Sequence, residues 1–140
     1  MTQQVRDVMT ADPVTVEPLT SVRAVARLMR DKDIGAVLVV EAERLRGLVS
    51  DRDLVVRAIA EDADPARTTV AAACSALLVT VGPDDDLDHA VKLMREHSVR
   101  RLPVVDREHH PVGIVSIGDL SIERDPRSAL ADVSAARPNR

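Results

Sequence analysis

Residues 47–54 read Gly47-Leu48-Val49-Ser50-Asp51-Arg52-Asp53-Leu54, and residues 113–120 read Gly113-Ile114-Val115-Ser116-Ile117-Gly118-Asp119-Leu120. Both stretches begin with a glycine and two aliphatic residues, continue with a serine, and place an aspartate three residues after that serine. This pattern is typical of a strand that leads directly into a helix. Its recurrence indicates that the chain contains one structural unit twice.

The duplication extends outward from these stretches. Residues 5–50 align with residues 70–116 in one register, and one additional residue enters the second copy near residues 109–111. Each copy predicts a short strand, an amphipathic helix, two strands joined by a polar turn, and a second helix.

The predicted fold class is therefore α+β, with two β-α-β-β-α repeats packed about a pseudo-two-fold axis. One repeat of about 55 residues buries too small a core alone, so the two apolar sheet faces are expected to cover each other. We predict the first repeat over residues 5–62, a linker over 63–69, the second repeat over 70–125 and a polar C-terminal tail over 126–140.

The first helix of each copy is expected to follow an N-cap residue, Thr20 in one copy and Asp85 in the other. Apolar residues then recur at helical spacing, which predicts one buried stripe per helix: Val22, Val25, Ala26 and Met29, then Leu87, Ala90, Val91 and Met94. Met29 and Met94 are interpreted as core residues on this basis, and Cys74, which aligns with Met9, as a small buried hydrophobe.

Composition excludes several functions. The chain has no Phe, Tyr or Trp, so it lacks a platform on which nucleic-acid bases could stack. Lys and Arg total 19 against 23 Asp and Glu, which argues against binding a phosphate backbone. A single cysteine and the lack of any apolar run near the ~20 residues of a membrane span predict a cytoplasmic protein with no membrane or nucleic-acid partner.

The repeated serine and aspartate have two readings. A serine hydroxyl beside the free N–H groups of a first helical turn suits a phosphate, and a carboxylate one turn further suits a ribose diol. The same spacing is also a capping box, in which the aspartate bonds back to the N-cap backbone. Arg100 and Arg101 could hold a phosphate or be an ordinary solvated pair.

These residues resemble the cystathionine-β-synthase (CBS) domain family. The resemblance covers about residues 5–122 and rests on three segments: Asp33-Ile34-Gly35-Ala36, residues 49–54, and residues 99–106. The chain is similar to a stand-alone tandem pair of these domains, a Bateman module, as found in small actinobacterial proteins. The resemblance implies a regulatory module that binds AMP, ADP, ATP, NAD or S-adenosylmethionine in the cleft between the copies. It also implies a homodimer, and an adenine nucleotide as regulatory ligand rather than catalytic cofactor.

The resemblance assigns roles to residues of this sequence. It implies that Asp53 and Asp119 hold ribose hydroxyls and that Ser50 and Ser116 contact phosphate. Backbone expected to read the adenine lies at Val14, Thr15 and Val16 for one site and at Leu78, Val79 and Thr80 for the other. The pocket lining is expected from Gly35, Ala36 and Val37 and from Arg100, Arg101, Leu102 and Pro103. Arg101 is the best phosphate clamp, because a guanidinium binds phosphate in a bidentate way.

The copies also depart from each other. The first has Gly35-Ala36 where the second has Arg100-Arg101, so the first site lacks that cation and the two sites are expected to be unequal. Gly118 is expected to loosen the first turn of its helix.

Two other function classes stay open. A ligand-free dimeric scaffold would act through contacts with an unidentified regulated protein. An enzyme is the weakest reading, because no nucleophile has a base beside it. No metal is expected, since His109-His110 lacks acidic or cysteine partners at ligand spacing and Asp84-Asp85-Asp86 precedes a helix that it would cap.

Overall fold

The computed structural model describes residues 3–75 and 78–136, and the chain divides into two compact units. We call residues 14–78 the first-repeat unit, and residues 1–13 together with 79–140 the second-repeat unit. Both units combine helices with a small sheet, which confirms the α+β class. In the described part of the chain, no helix has the length and apolar character needed to cross a membrane.

The elements are numbered along the chain. The strands are β1 (Thr10–Ala11), β2 (Thr15–Val16), β3 (Ala36–Glu41), β4 (Arg44–Ser50), β5 (Arg101–Val105) and β6 (Pro111–Ser116). The α-helices are α1 (Val22–Lys32), α2 (Asp51–Leu54), α3 (Val70–Ala73), α4 (Leu87–His97), α5 (Ile117–Arg124) and α6 (Ala129–Ser134). A 3₁₀ turn covers Val5–Asp7, and α2 continues as a π-helical segment over Val55–Ile59.

Each unit has a three-stranded sheet. In the first-repeat unit the order is β2-β3-β4, with β2 parallel to β3 and β3 antiparallel to β4. In the second-repeat unit the order is β1-β6-β5, and both pairings are antiparallel. The hairpin turn after β3 has positive φ at Ala42 and Glu43, as two-residue turns of this kind require.

The predicted helical stripes are confirmed except at Ala26, which is exposed, while Val91 is partly buried. Val22, Val25 and Met29 of α1 join one core, and the buried stripe of α4 joins the other. Alternation along β3 places Val37 and Val39 in the helix-side core, and Ala36 and Leu38 are buried on the opposite face. Met29 and Met94 are therefore core residues, as predicted.

The predicted N-caps were wrong by one residue. The cap of α1 is Ser21, whose hydroxyl accepts from the N–H of Ala24, and the cap of α4 is Asp86, which accepts from His89. Thr20 and Asp85 instead use their backbone carbonyls to bind another part of the chain. The Thr20 carbonyl accepts from Val70 at 2.7 Å, and the Asp85 carbonyl accepts from Val5 at 2.8 Å.

These two bonds reveal an exchange of leading segments. Residues 5–11, which begin the first sequence repeat, belong to the second-repeat unit, and residues 70–74, which begin the second, belong to the first-repeat unit. Val5 and Val70 are both fully buried. The compact units therefore follow a different division of the chain from the two sequence repeats.

The glycine that opens each repeated stretch makes room for an exchanged segment. A Cβ at Gly113 would lie 2.6 Å from Met9 Sδ and 2.9 Å from the Thr10 carbonyl oxygen. A Cβ at Gly47 would lie 3.1 Å from Cys74 Sγ. Glycine is used at both positions because atoms of the exchanged segment lie close by, namely the Thr10 carbonyl and Met9 at Gly113 and the Cys74 side chain at Gly47, not because of an unusual φ.

Candidate functional site

In the first-repeat unit, Ser50 ends β4 and caps α2. Ser50 Oγ accepts a hydrogen bond from the Asp53 N–H at 3.1 Å, and Asp53 Oδ2 accepts one from the Ser50 N–H at 2.8 Å. The second-repeat unit repeats this geometry, with Ser116 and Asp119 bonded at the same two distances. The capping-box reading is thus confirmed in both copies.

Capping does not exhaust these side chains. Each serine uses its oxygen as an acceptor and keeps its O–H available as a donor. Each aspartate uses Oδ2 for the cap and keeps Oδ1. A donor and an anionic acceptor therefore remain at each helix start, which is the pair that a phosphate and a ribose diol would need.

The two outer carboxylate oxygens differ in their partners. Asp53 Oδ1 lies 3.4 Å from Arg57 Nε, one helical turn further on. At the equivalent position of the second-repeat unit stands Glu123, which accepts from the side-chain amide of Gln3. Within residues 3–75 and 78–136, Asp119 Oδ1 has no recorded hydrogen-bond or ion-pair partner. The second-repeat carboxylate is the more available of the two.

Neighbouring strands bring the predicted lining of the first-repeat unit together. Ala36 pairs with Ser50 across β3 and β4, and the Gly35 carbonyl accepts from the Asp51 N–H at 2.9 Å. On the other side of β3, the Val14 carbonyl accepts from Leu38, the residue that pairs with Thr15. Val16 continues β2, but the Val37 side chain lies in the core, so only its backbone can meet a ligand.

The second-repeat unit places its cation beside the motif. Arg101 pairs directly with Ser116, in the register that joins Ala36 to Ser50. Directly opposed residues of an antiparallel pair have Cβ atoms about 5 Å apart, so the Arg101 side chain leaves the strand next to Ser116. The Arg100 side chain is exposed, and its carbonyl accepts from the Ile117 N–H.

The remaining predicted residues of this site have mixed positions. Leu102 is fully buried in the core, and Pro103 is buried while its carbonyl accepts from Val81 at 3.1 Å. Val79 and Thr80 directly precede Val81 in the chain, and both are half-buried. Leu78 is also half-buried but is the last residue of the first-repeat unit, so the structure does not group it with the other two.

One neighbour of the motif was missed from sequence. A Cβ at Gly118 would lie 2.7 Å from Ser134 Oγ and 3.0 Å from Ser134 Cβ. Gly118 is thus explained by the close approach of α6, rather than only by a looser helical turn. The predicted polar tail contains the short helix α6, and no local pattern in the sequence indicated what this helix contacts.

The acidic run before α4 is accounted for by structure. Asp84 forms an ion pair with Arg6, Asp85 Oδ2 accepts from the Gly82 N–H, and Asp86 caps the helix. Cys74 is half-buried, and burial, followed by the nearby Asp53 carboxylate, raises the pKa of its thiol. A thiol with a raised pKa is a poor nucleophile at neutral pH.

The expectation that His110 lacks acidic partners was wrong. Its Nδ1 lies 3.4 Å from Asp106 Oδ2 and 3.5 Å from Glu108 Oε2, because the tight turn folds these residues toward each other. Asp106 Oδ1 also accepts from the N–H groups of Glu108 and His110, and these contacts hold the pKa of Asp106 below its usual value, with the His110 N–H first among the causes. The cluster is explained as a network that closes the hairpin turn.

The comparisons with known proteins agree on one family. The family model described as "CBS domain" matches residues 5–59 and 72–123. CBS domain-containing protein YhcV of Bacillus subtilis is 38% identical over 134 residues, covering 93% of this chain and 94% of the relative. Hypoxic response protein 1 of Mycobacterium tuberculosis is 34% identical over 117 residues, covering 83% and 81%.

Solved structures match the fold. A crystal structure of Hypoxic Response Protein I with two coordinated zinc ions has a TM-score of 0.78 at 32% identity, covering 86% of this chain and 98% of that one. The CBS domain pair of protein MJ0100, in complex with 5'-methylthioadenosine and S-adenosyl-L-methionine, has a TM-score of 0.81 at 22% identity, covering 91% and 100%. The latter similarity concerns the fold.

Proposed function

The chain belongs to the CBS domain family, and from this membership we propose that it is a regulatory module for an adenosyl-containing ligand: AMP, ADP, ATP, NAD or S-adenosylmethionine. The observation that carries the proposal is the Ser–Asp pair at the start of a helix in both units, each with a hydroxyl proton and a second carboxylate oxygen that the capping bonds do not use. The adenosyl ligands of the MJ0100 domain pair support the ligand class.

Each group has a distinct role in this proposal. The outer oxygen of Asp53 or Asp119 accepts from the ribose diol, and the Ser50 or Ser116 hydroxyl donates to a phosphate oxygen. Backbone N–H and C=O groups at the first strand of each repeat read the adenine edge. Hydrogen bonds to a charged group contribute about 1.5–3 kcal/mol each, so loss of the aspartate is expected to remove most of the affinity.

The second-repeat site is proposed to be the tighter one. Arg101 stands opposite Ser116, whereas Ala36 stands opposite Ser50. Asp119 keeps its outer oxygen available, whereas Asp53 shares that oxygen with Arg57. A phosphate and a ribose therefore both find better partners in the second-repeat unit.

We propose no catalytic role. In the described residues the serines at the helix starts have aspartates that bond to backbone, and no imidazole or amine is recorded against either hydroxyl. Ligand binding instead shifts the population of conformations that a regulated partner recognises. The single free cysteine fits action in the cytoplasm.

Self-association is proposed as part of this function. Large apolar residues are exposed on the segment that carries the first site, namely Val55, Val56 and Ile59. In the second-repeat unit, α4 and α5 flank a groove of about 450 Å³ whose lining includes the exposed Ile117 and the half-buried Val91 and Val99. Exposed apolar surface of this kind is typical of protein interfaces, and we propose that a second copy of the chain covers it. Sedimentation at micromolar concentration tests this directly.

The central experiment is a thermal unfolding series with the five adenosyl compounds. A ligand at a hundred times its dissociation constant stabilises a protein by about 2.7 kcal/mol, so a clear shift is expected from at least one. The double variant Asp53→Ala with Asp119→Ala should lose the shift, and Glu61→Ala, at an exposed acidic residue outside both motifs, should keep it.

The same variants separate the competing hypothesis. A ligand-free scaffold predicts that no nucleotide moves the melting curve and that the double variant keeps its self-association and its partner. Unmoved melting curves with all five compounds would therefore count against nucleotide sensing and in favour of the scaffold.

A further inference from the structure

The last helix of the described chain contacts the start of the helix that carries the second site. Ser134 fills the space that a side chain at Gly118 would occupy, and the same point lies 3.5 Å from Ser116 Oγ. Two serine hydroxyls therefore flank the first turn of α5. One belongs to the proposed phosphate site, and the other comes from a separate helix.

This contact is absent from the matched position of the other repeat. Arg52 stands where the second copy has Gly118, and its side chain is exposed. The helix α6 also lies outside the family match, which ends at residue 123. The contact thus involves a helix outside the residues that the family model matches, and it is placed at only one of the two helix starts.

The Ser134 hydroxyl has no assigned task in the fold. Within the described ranges 3–75 and 78–136, no hydrogen-bond partner is recorded for it, and the helix is capped by Ser128 instead. The side chain of Ala131 is buried, while Leu130 and Val133 are exposed. Because isolated helices of six residues are marginal in water, the position of α6 depends on its packing against α5.

Resting on the proposed function, we infer that α6 is a component of the second-repeat site and that Ser134 donates to the same phosphate as Ser116. A phosphate oxygen at the start of α5 accepts from the Ser116 hydroxyl, the Gly118 N–H and the Ser134 hydroxyl together. Ligand binding then holds α6 in place, and the docked α6 strengthens binding by the same factor, since coupling between two equilibria is reciprocal.

The test uses isothermal titration with AMP in the Asp53→Ala background, which leaves the second site alone. Ser134→Ala should weaken AMP binding about 10- to 100-fold, the effect of one hydrogen bond to a charged phosphate. Gly118→Ala should weaken it at least as much, because the added methyl group displaces α6. The matched control is Val133→Ala, on the exposed face of the same helix, which should bind AMP normally.

S-adenosylmethionine and trypsin provide two further readouts. S-adenosylmethionine has no phosphate, so its affinity should be the same with and without the Ser134 hydroxyl. Saturating AMP should slow trypsin cleavage at Arg127, between α5 and α6, in the parent protein but not in Ser134→Ala.

The outcomes separate this inference from the proposed function. If the Asp53→Ala protein binds AMP and Ser134→Ala binds it equally well, the role of α6 is wrong and nucleotide binding stands. If the protein binds only S-adenosylmethionine, the phosphate contact is wrong while adenosyl binding stands. If none of the five adenosyl compounds binds the parent protein, the proposed function itself is wrong.

Discussion

The helices α2 and α5 start with the same backbone geometry, but different side chains surround the two starts. Both use a serine and an aspartate in the same reciprocal capping bonds, at the same distances. One has Ala36 opposite its serine, Arg57 on its aspartate and an exposed Arg52 in its first turn. The other has Arg101, an open carboxylate oxygen and a glycine covered by Ser134. The shared capping bonds form the common scaffold, and the differing side chains around them can make two copies of one site unequal.

The largest difference between the two sites is expected from substitutions of the aspartates. Asn in place of Asp119 keeps an acceptor for the capping bond but turns an amide donor toward the ribose, so nucleotide affinity should fall about 10- to 100-fold. Asp53→Asn should change the total binding much less, because the first site is proposed to be the weaker one. Titration calorimetry of both variants gives the ranking, and equal losses would show that the sites are equivalent.

The glycines that accommodate the exchanged segments form the next contrast. Gly113→Ala should destabilise the protein by about 1–3 kcal/mol, because its methyl group meets Met9 and the rigid Thr10 carbonyl. Gly47→Ala meets only the Cys74 sulfur at a longer distance, and should cost under about 1 kcal/mol. Urea unfolding monitored by circular dichroism measures both; a larger effect at Gly47 would contradict the close approach described at Gly113.

Residues 57 and 123 sharpen the contrast between the carboxylates. Glu123→Arg should place a guanidinium on the outer oxygen of Asp119 and weaken the second site about twofold, since exposed ion pairs of this spacing contribute about 0.3–0.5 kcal/mol. Arg57→Gln should strengthen the first site by a similar factor. Competition titrations resolve changes of this size. Weaker binding in Arg57→Gln would instead identify Arg57 as a phosphate contact.

The hairpin turn between β5 and β6 is expected to be sensitive to acid. The pKa of Asp106 is lowered in the folded state, so its contribution to stability is present above the pKa it has when unfolded and is lost as pH falls through its folded pKa. Asp106→Asn keeps an acceptor for the turn and should show a flatter loss of stability between pH 5 and about 3. Identical pH profiles for the parent and Asp106→Asn would rule out this role for Asp106.

Much of this fold could be predicted because its signals are local. The helical stripes, the paired strands and the serine–aspartate capping box each occupy a few consecutive residues, and repetition confirmed them. The N-caps failed by one residue because Thr20 and Ser21 are both good capping residues. The choice between them depends on Val70, which needs the Thr20 carbonyl and lies 50 positions away.

The parts of the site that were not predicted depend on contacts between residues far apart in the sequence, or on short spacings that were overlooked. The contact of Ser134 with Gly118 joins two helices that no periodicity relates. Arg57, by contrast, lies four residues after Asp53, a spacing that indicates an ion pair on a helix and could have been found. The carboxylates around His110 were overlooked because the tight turn, rather than a helix, brings them together.

The exchange of leading segments also sets an order for folding on the ribosome. The first-repeat unit is a continuous stretch, so it is complete once residue 78 has been synthesised. The second-repeat sheet pairs Thr10 with Ile114, so strand β1 is synthesised early but can pair only after β6 has been synthesised. Pairings so far apart in sequence close slowly, and domains fold as units during synthesis. The nascent chain therefore completes the Ser50–Asp53 helix start first and the Ser116–Asp119 helix start, proposed to be the tighter site, only near the end of translation.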